Sequence, residues 1–368
     1  MFYVTKFSSS RTKSFTHVAF HNIQSLMTQR VNFELRPLDN VLNWSESPEW
    51  MSNAQTYFAK TKSDYGCALV HTLPADLLRC IYKSKDQAIG MTAFETTKIP
   101  QWIASGLNEN YKGLIVPSEY NKEALEASGV TIPVRVVQHA LGSWWMQDYP
   151  ELPEKDPKTY IFGFAGFWNT RKNPETLVEA YLEAFPQPSE DQALLLKTYK
   201  SGMESQWSDR PDIWIYDEDW SEEQMLWAFQ MMDCYVSPHK GEAFGLCLAQ
   251  ASAMNKPTIY TGFSAPTEWL TGQNHRAISY STVHVTDADM KAGYDHLEGT
   301  TLHWADINKT ELVEALRSAS ANKCKKALSS EQLSDFRRMF TWESIGSQLV
   351  SAIEDIMDRP LVRMPNDE

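Results

Sequence analysis

The hydrophobic and polar positions of this chain follow two alternating spacings along most of its length. Short apolar or β-branched runs are typical of buried strands, and longer stretches with helical spacing separate them. This alternation predicts an α/β protein built on a mostly parallel sheet. In the first half we predict strands near Phe2–Phe7, Val31–Arg36, Cys67–His71, Gln87–Thr92, Gly113–Pro117 and Val134–Gln138, with helices at His17–Gln29 and Asn121–Ser128.

A proline-containing segment interrupts this pattern. Between Gly142 and Lys158 the periodicity is lost, and three prolines fall in this stretch, so we predict an interdomain linker. The pattern then restarts with a second set of elements. Its predicted strands are Tyr160–Ala165, Ala193–Tyr199, Ile213–Tyr216, Cys234–Ser237, Pro257–Thr261 and Val283–Val285, and its helices are Pro174–Phe185, Ser221–Met231, Gly245–Met254 and Lys309–Ala319.

Two Rossmann-like domains facing across a cleft are the fold that this organisation predicts. A chain of 368 residues is long enough for two cores. We expect a first domain over residues 1–145 and a second over residues 146–340. The remaining residues, 341–368, contain a predicted helix at Glu343–Met357, which we expect to return to the first domain.

Composition and charge narrow the possible classes of protein. A hydrophobic content of 42% predicts a folded chain, and five cysteines without CxxC spacing predict reduced thiols. Since we find no signal peptide and no apolar run of about 20 residues, we expect a cytoplasmic protein without a transmembrane segment. The net charge of −13 resides in the second half, because residues 1–150 contain 14 Lys and Arg against 13 Asp and Glu. The basic residues near the N-terminus are Lys6, Arg11, Lys13, Arg30 and Arg36. A solvated surface is the favoured interpretation of them, and a face for an anionic partner is the alternative.

The segment Ser237–Leu270 has the most informative pattern of chemistry. A short strand ends at Ser237, a loop contains Glu242, and Gly245 begins a helix. Gly245 allows a ligand to approach the backbone closely. The free N–H groups and the dipole of the helix start form an anion site suited to a diphosphate. Gln250 follows Glu242 by eight residues, roughly two turns down the helix.

This segment resembles the Glu-x7-Glu signature of retaining GT-B glycosyltransferases, the large group that includes many bacterial and phage mannosyl- and glucosyltransferases (glycosyl transferases group 1). The resemblance implies that Glu242 contacts the hydroxyls of the donor sugar. It also implies that the backbone of Phe244, Gly245 and Leu246 holds the sugar and phosphate. Gln250 stands at the ribose position, where the group has a second Glu. An amide can bond to hydroxyls but accepts less strongly than a carboxylate.

The resemblance extends to the segment FGFAGFWNTRKNPETLVEAYLEAF, which is similar to the first strand, loop and helix of the donor domain in that group. Lys172 occupies the usual basic position and Arg171 adjoins it, whereas Phe167 and Trp168 replace an upstream Arg. Lys197, in the strand ALLLKTYK, corresponds to a residue that reaches the same phosphates. Two cations on a diphosphate stabilise the leaving nucleotide, so we expect no metal site.

The first half resembles the acceptor domain of the group more weakly. After the strand Ala88–Thr92, Glu95 stands where many relatives have a His near the reacting carbon, and FSSSRTKSF replaces their Gly-rich first loop. Tyr216 and His239 are expected in the donor site, and His71 and His139 are alternatives for the cleft. Asp217-Glu218-Asp219 matches the Asp-x-Asp metal motif, but a polar helix start is favoured.

The predicted reaction is a retaining, metal-independent transfer of a hexose or pentose from a nucleotide-diphosphate sugar, a UDP- or GDP-sugar, to an acceptor hydroxyl. We expect Glu242, Lys172, Lys197 and Glu95 as catalytic residues, no bound cofactor, and a glycan or small-molecule acceptor. A nucleic-acid acceptor, as in phage enzymes that glycosylate modified DNA bases, is one alternative. A non-catalytic GT-B subunit that binds a donor or a partner is another, and a sugar-phosphate epimerase or phosphorylase is a third.

Overall fold

Two six-stranded parallel sheets form the framework of this chain. The computed structural model describes residues 1–5, 13–38, 66–80, 84–203, 206–207, 209–272, 274–286, 289 and 301–364. The basic residues Lys6 and Arg11, the serines between them and the side chain of Lys13 lie outside the described residues. The chain divides into a first unit, Met1–Gly142 with Val285–Leu302 and Arg338–Glu368, and a second unit, Ser143–His284 with His303–Arg337.

The first unit contains a sheet with the strand order β2-β1-β3-β4-β5-β6, in which every pair is parallel. Its strands are β1 (Phe2–Thr5), β2 (Glu34–Pro37), β3 (Ala68–His71), β4 (Ala88–Met91), β5 (Gly113–Val116) and β6 (Val134–Val136). Its helices are α1 (Lys13–Thr28), α2 (Pro74–Leu77), α3 (Gln101–Asn110) and α4 (Glu119–Glu126). Strands β1, β3, β4 and β5 are buried at every position, which explains why they read as continuous apolar runs.

The second unit contains a sheet with the order β12-β11-β10-β7-β8-β9, again all parallel. Its strands are β7 (Tyr160–Ala165), β8 (Gln192–Lys197), β9 (Ile213–Tyr216), β10 (Cys234–Ser237), β11 (Thr258–Thr261) and β12 (His275–Ile278). A separate antiparallel hairpin joins β13 (Tyr280–His284) to β14 (His303–Ile307). The helices that follow these strands are α5 (Pro174–Ala184), α6 (Glu222–Met231), α7 (Leu246–Ala253), α8 (Pro266–Trp269), α9 (Lys309–Asn322) and α10 (Ser330–Met339).

The final helix, α11 (Trp342–Met357), belongs to the first unit, where it packs against α1. A Cβ atom at Gly346 would collide with the carbonyl oxygen of Ser25, so the two helices touch backbone to backbone. The apolar face of α11, including Ile345, Leu349 and Ile353, is part of the core of the first unit. The predicted α/β fold with two Rossmann-like sheets and a returning C-terminal helix is therefore confirmed.

One part of the predicted strand pattern was wrong. We predicted the last strand at Val283–Val285, but the sixth strand of the second sheet is β12, and β13 ends at His284 in the antiparallel hairpin. The physical reason is exposure: β12 is an edge strand with only Ile278 buried, so its sequence lacks the apolar run of a buried strand. Strand β14 was also missed.

Among the helices of the described residues, none combines the length and the apolar character needed to cross a membrane.

Candidate functional site

The candidate site lies where the strand order of the second sheet reverses. The chain forms β7, β8 and β9 in one direction and then returns to place β10 on the other side of β7. Ligands of open α/β sheets bind at the carboxyl ends of the strands at such a switch point. The loops after β7 (residues 166–173) and after β10 (residues 238–245) meet here. The N–H of Lys240 donates to the carbonyl of Arg171 at 2.7 Å, and the Asn173 amide donates to the carbonyl of Pro238 at 3.2 Å.

Asn173 determines the path of the first loop. It has the left-handed conformation with φ of 58°, which Asn tolerates better than most residues, and Pro174 then starts α5. The Asn169 side chain accepts a hydrogen bond from the N–H of Lys172 at 2.9 Å. This tight turn directs Arg171 and Lys172 toward the second loop.

Glu242 forms the centre of the site. Its side chain is buried, with 8% exposed, and its Oε1 bonds to Nζ of Lys172 and lies 3.2 Å from Nη1 of Arg171. Arg171 also donates to the carbonyl of Gly241 at 2.8 Å. Burial by itself raises the pKa of Glu242, but the charges of Lys172 and Arg171 outweigh it and hold this pKa at about 2. The site therefore contains an ionised carboxylate between two cations.

Ser264 holds the backbone of Glu242 and was missed by the sequence analysis. Its Oγ accepts the N–H of Glu242 at 2.9 Å, and the Glu242 carbonyl accepts the N–H of Ala265 at 3.3 Å. Ser264 has a positive φ of 62° in the loop after β11. A serine in a loop between Gly262 and Pro266 is an ordinary turn residue, so the sequence offers no signal for this contact.

His239 is buried, and both of its ring nitrogens form hydrogen bonds. Its Nε2 lies 3.2 Å from the carbonyl of Phe263, which can only accept, so Nε2 holds the proton. Its Nδ1 then accepts from the hydroxyl of Ser237 at 3.1 Å. Burial lowers the pKa of His239 to about 4. The ring is neutral at pH 7 and connects the loops after β10 and β11.

Gly245 begins α7 in a conformation that favours glycine. Its φ is 91°, and a Cβ atom there would lie 3.1 Å from the Pro266 ring. The N–H groups in the first turn of a helix have no intrahelical acceptor. Burial raises the pKa of the Cys247 thiol in this turn, while the charges of Lys172 and Lys197 oppose the rise.

Lys197, at the end of β8, is buried and bonds to the carbonyls of Thr198 and, at 2.7 Å, Glu218. Its ammonium lies 5.1 Å from the centre of the Trp220 ring. Tyr216 lies beside this pair, with its ring 5.0 Å from that of Trp220. Tyr216 and Lys197 were expected in the site from their sequence positions, whereas Trp220 was missed. The shared carboxyl edge of β8 and β9 brings all three together.

Comparison with known proteins gives a result at the level of the fold. No family profile and no curated sequence matches the chain. Among solved structures, sucrose-phosphate synthase from Thermosynechococcus elongatus matches with a TM-score of 0.65 and 12% identity, covering 97% of this chain and 99% of that one. HepE from Anabaena in complex with UDP-glucose matches with a TM-score of 0.65, 9% identity, and coverage of 96% and 100%. The lipopolysaccharide outer core galactosyltransferase WaaB matches with a TM-score of 0.63, 12% identity, and coverage of 96% and 99%.

The chain has the GT-B fold. Within it, Gln250 lies in α7 and is buried, and none of the described residues bonds to its side-chain amide. Phe244 is buried against the Trp269 ring at 5.4 Å, and Leu246 is half-buried as the first residue of α7. Glu95 belongs to the other unit of the GT-B fold, where it is half-buried in the loop after β4. The donor-site roles of these residues remain predictions.

The first residue of the Asp-x-Asp sequence, Asp217, has a structural role in the second unit. The Asp217 carboxylate accepts the N–H groups of Ser201 and Gly202, each at 2.8 Å, and so holds the turn after β8. The helix start that follows is capped by Ser221, which exchanges hydrogen bonds with Gln224. Asp217 therefore stabilises a turn, and the expectation of a site without metal remains a prediction.

Proposed function

We propose that this protein is a glycosyltransferase that moves a sugar from a nucleotide-diphosphate sugar to the hydroxyl of a glycan or small molecule, with retention of anomeric configuration. One observation is the main support: a buried, ionised Glu242 between Arg171 and Lys172, beside the start of α7, at the switch point of the sheet. Cations and a helix start are groups that bind a diphosphate, and a carboxylate binds sugar hydroxyls. The match to HepE in complex with UDP-glucose is consistent with such a donor.

Donor binding exchanges ionic partners in this proposal. The diphosphate takes Lys172 and Arg171, which bond to Glu242 in the structure, and also meets the free N–H groups of α7. Glu242 is then released to accept hydrogen bonds from the sugar. Glu242 enters the exchange ionised, because Lys172 and Arg171 hold its pKa at about 2 before the donor binds. A carboxylate is a stronger acceptor for sugar hydroxyls than a neutral group.

The same cations serve the chemical step. When the bond between the anomeric carbon and the phosphate oxygen breaks, negative charge grows on the diphosphate, and Lys172, Lys197 and the start of α7 stabilise it. The acceptor hydroxyl attacks from the face that the phosphate leaves, and a phosphate oxygen takes its proton. This route needs no pair of carboxylates flanking the anomeric carbon, unlike retaining glycosidases. Glu95 is proposed to lie near the acceptor or the reactive end of the sugar.

A donor-binding subunit without transferase activity is the second candidate. Gln250 favours it, because the GT-B enzymes that the sequence resembles have a carboxylate at this position. The two candidates share the donor site and differ in turnover.

A panel of UDP-, GDP- and ADP-sugars tests the proposal. We expect at least one donor to raise the thermal unfolding temperature, because a ligand that binds only the folded state stabilises it. A chain that responds to none of them is not a glycosyltransferase. Slow hydrolysis of the bound donor, measured as nucleotide release, would distinguish an enzyme from a subunit without transferase activity.

The acceptor and the stereochemistry need separate measurements. NMR of the product from an α-linked donor gives an α-linked product if configuration is retained, and a β-linked product rejects retention. Binding to DNA that falls steeply with added salt would favour a nucleic-acid acceptor over a glycan or small molecule.

A further inference from the structure

The second unit has another cavity at the opposite edge of its sheet. It has a volume of about 430 Å³ and is lined by residues that precede the strands, including Lys155 before β7, Asp233 before β10 and Lys256 before β11. Glu151 and Lys325 also line it. Since the candidate donor site lies at the carboxyl ends of the strands, this cavity at their amino ends is a separate site.

Asp233 is the buried anion of the cavity, and other groups already satisfy it. One carboxylate oxygen accepts from Nζ of Lys155 at 2.7 Å, and the other accepts the N–H of Ile161 at 2.9 Å. The Asp233 side chain is 2% exposed and that of Lys155 is 5% exposed. A buried ion pair with such geometry keeps both charges compensated. Lys155 and Asp233 therefore form a structural pair.

Lys256 lacks a comparable partner. Its ammonium donates to the carbonyl of Gln230 at 3.2 Å, and no carboxylate of the described residues forms an ion pair with it. Burial, together with the charge of Lys155, lowers the pKa of Lys256 to about 8. Lys256 is half-buried, and an ammonium group without a carboxylate partner is costly wherever it is withdrawn from water. Two N–H donors of Lys256 are left for another acceptor.

The charges around Lys256 favour an anion as that acceptor. Lys325 lies 3.8 Å from both Asp233 and Glu151, so the ammonium groups of Lys155, Lys256 and Lys325 share these two carboxylates. The third carboxylate of the lining, Asp148, pairs with Arg337 at 2.7 Å. The cavity thus has one surplus positive charge among the groups nearest to Lys256. Its volume is within the range of small-ligand sites.

We propose that this cavity binds a phosphate group, free or attached to a small metabolite, through Lys256 and Lys325. Lysine binds phosphate as a point charge with several donors, and the anion supplies the charge that the two carboxylates leave uncompensated. The site lies outside the donor-binding region and does not depend on the proposed transferase activity.

Calorimetric titration at fixed ionic strength tests this site, with inorganic phosphate and glucose 6-phosphate as probes. Because the donor site is also expected to bind phosphate, the background is Lys172→Met, which removes a donor-site cation. In that background we expect Lys256→Met to weaken binding about tenfold or more, corresponding to the loss of one charge-assisted hydrogen bond. Lys309→Met, which removes an exposed lysine paired with Glu179, is the matched control and should change nothing.

A second measurement keeps the test valid if Lys256→Met does not fold. In the Lys172→Met protein labelled with 13C-lysine, the Lys256 signal, assigned by its loss in Lys256→Arg, should shift on addition of phosphate. Binding with an unmoved Lys256 signal, or no binding of either probe at millimolar concentration, rejects the site. Equal affinities for the two probes support free phosphate as the ligand, and tighter binding of glucose 6-phosphate supports a phosphorylated metabolite.

Discussion

The two units of this protein have the same sheet architecture but differ in the charge of their buried groups. Each has a six-stranded parallel sheet with a reversal of strand order, between β7 and β10 in the second unit and between β1 and β3 in the first. At the carboxyl edge of the second sheet, Glu242 forms ion pairs with Arg171 and Lys172. At the corresponding edge of the first sheet, the buried polar groups of the described residues are hydroxyls, amides and imidazoles.

Neutral imidazoles dominate the edge of the first sheet. Nδ1 of His71, at the end of β3, bonds to the hydroxyl of Tyr3 at 3.0 Å. Nδ1 of His21 accepts from the Trp342 ring N–H at 2.8 Å, so the proton of His21 is on Nε2, which lies 2.9 Å from Nε2 of His17. Burial lowers the pKa of His71 and of His139 to about 3 and lowers that of His21 as well.

This difference shows what topology decides and what it leaves to the side chains. Strand order places an opening at the same position in each sheet. The residues at that opening decide whether it suits a charged diphosphate or a neutral hydroxyl compound. The contrast fits a donor site in the second unit and an acceptor site in the first, which stays a proposal.

The largest effect is expected from Glu242→Gln. Removing the carboxylate leaves Arg171 and Lys172 without their buried partner, so unfolding free energy should fall by about 3 kcal/mol. Donor turnover should fall ~100-fold, because the sugar loses its orientation. Urea unfolding and nucleotide release measure the two effects. Glu179→Gln, at an exposed ion pair, is the control, and wild-type turnover in Glu242→Gln would remove Glu242 from the proposed site.

Lys172→Met tests whether the carboxyl edge of the second sheet is a diphosphate site. Losing a charge-assisted hydrogen bond should weaken UDP binding by roughly 10- to 100-fold. Isothermal titration with UDP measures this. Lys240→Met is the matched control, because Lys240 is in the facing loop but pairs with Asp306 at 3.2 Å. Equal losses in both variants would indicate general disturbance of the loop instead of phosphate contact.

Mild acid should destabilise the first unit more than the second. A buried histidine whose folded pKa is below its unfolded value of 6.5 takes up protons only on unfolding, so its stabilising effect is complete above pH 6.5 and falls as the pH drops. Among the described residues, the first unit has three such histidines, His21, His71 and His139. The second unit has His239 and His275, for which burial lowers the pKa to about 4.

Between pH 6.5 and 5 the free energy of unfolding should therefore fall by about 2 kcal/mol more in the first unit than in the second. The contribution of Glu242 is retained in this window, because its folded pKa is lowered to about 2 and the window lies above the ordinary Glu pKa of about 4.5. Hydrogen exchange of β3 and β8 compares the units. His139→Gln should reduce the pH dependence of hydrogen exchange in β3, whereas His284→Gln, at an exposed position, should not. If hydrogen exchange in β3 and β8 had the same pH dependence, the proposed difference between the two units would be wrong.

The smallest effect is expected from Gln250→Glu. A carboxylate accepts more strongly from ribose hydroxyls than an amide, so UDP affinity should rise about fivefold, corresponding to roughly 1 kcal/mol. Titration with UDP measures the change, and Gln348→Glu, on the exposed side of α11, is the control. Unchanged or weaker binding in Gln250→Glu would place the residue away from the ribose.

Much of the fold could be predicted from the sequence because its physical causes are local. Strands covered on both faces must be apolar along their length, so β7, β8 and β10 appear as continuous runs. Glycine before an apolar helical run is typical of a helix start that a ligand can approach closely, and this pattern identified Gly245 as the residue that begins α7. These features are determined by a few neighbouring residues.

Other features were decided only by the tertiary structure, because they join residues far apart in the chain. Lys172 and Glu242 are 70 positions apart and meet because the strand order reverses between β7 and β10. The exposed edge strand β12 has no apolar signal. The sequence thus determined which chemical groups the site contains, and the topology of the sheet decided which of them are partners.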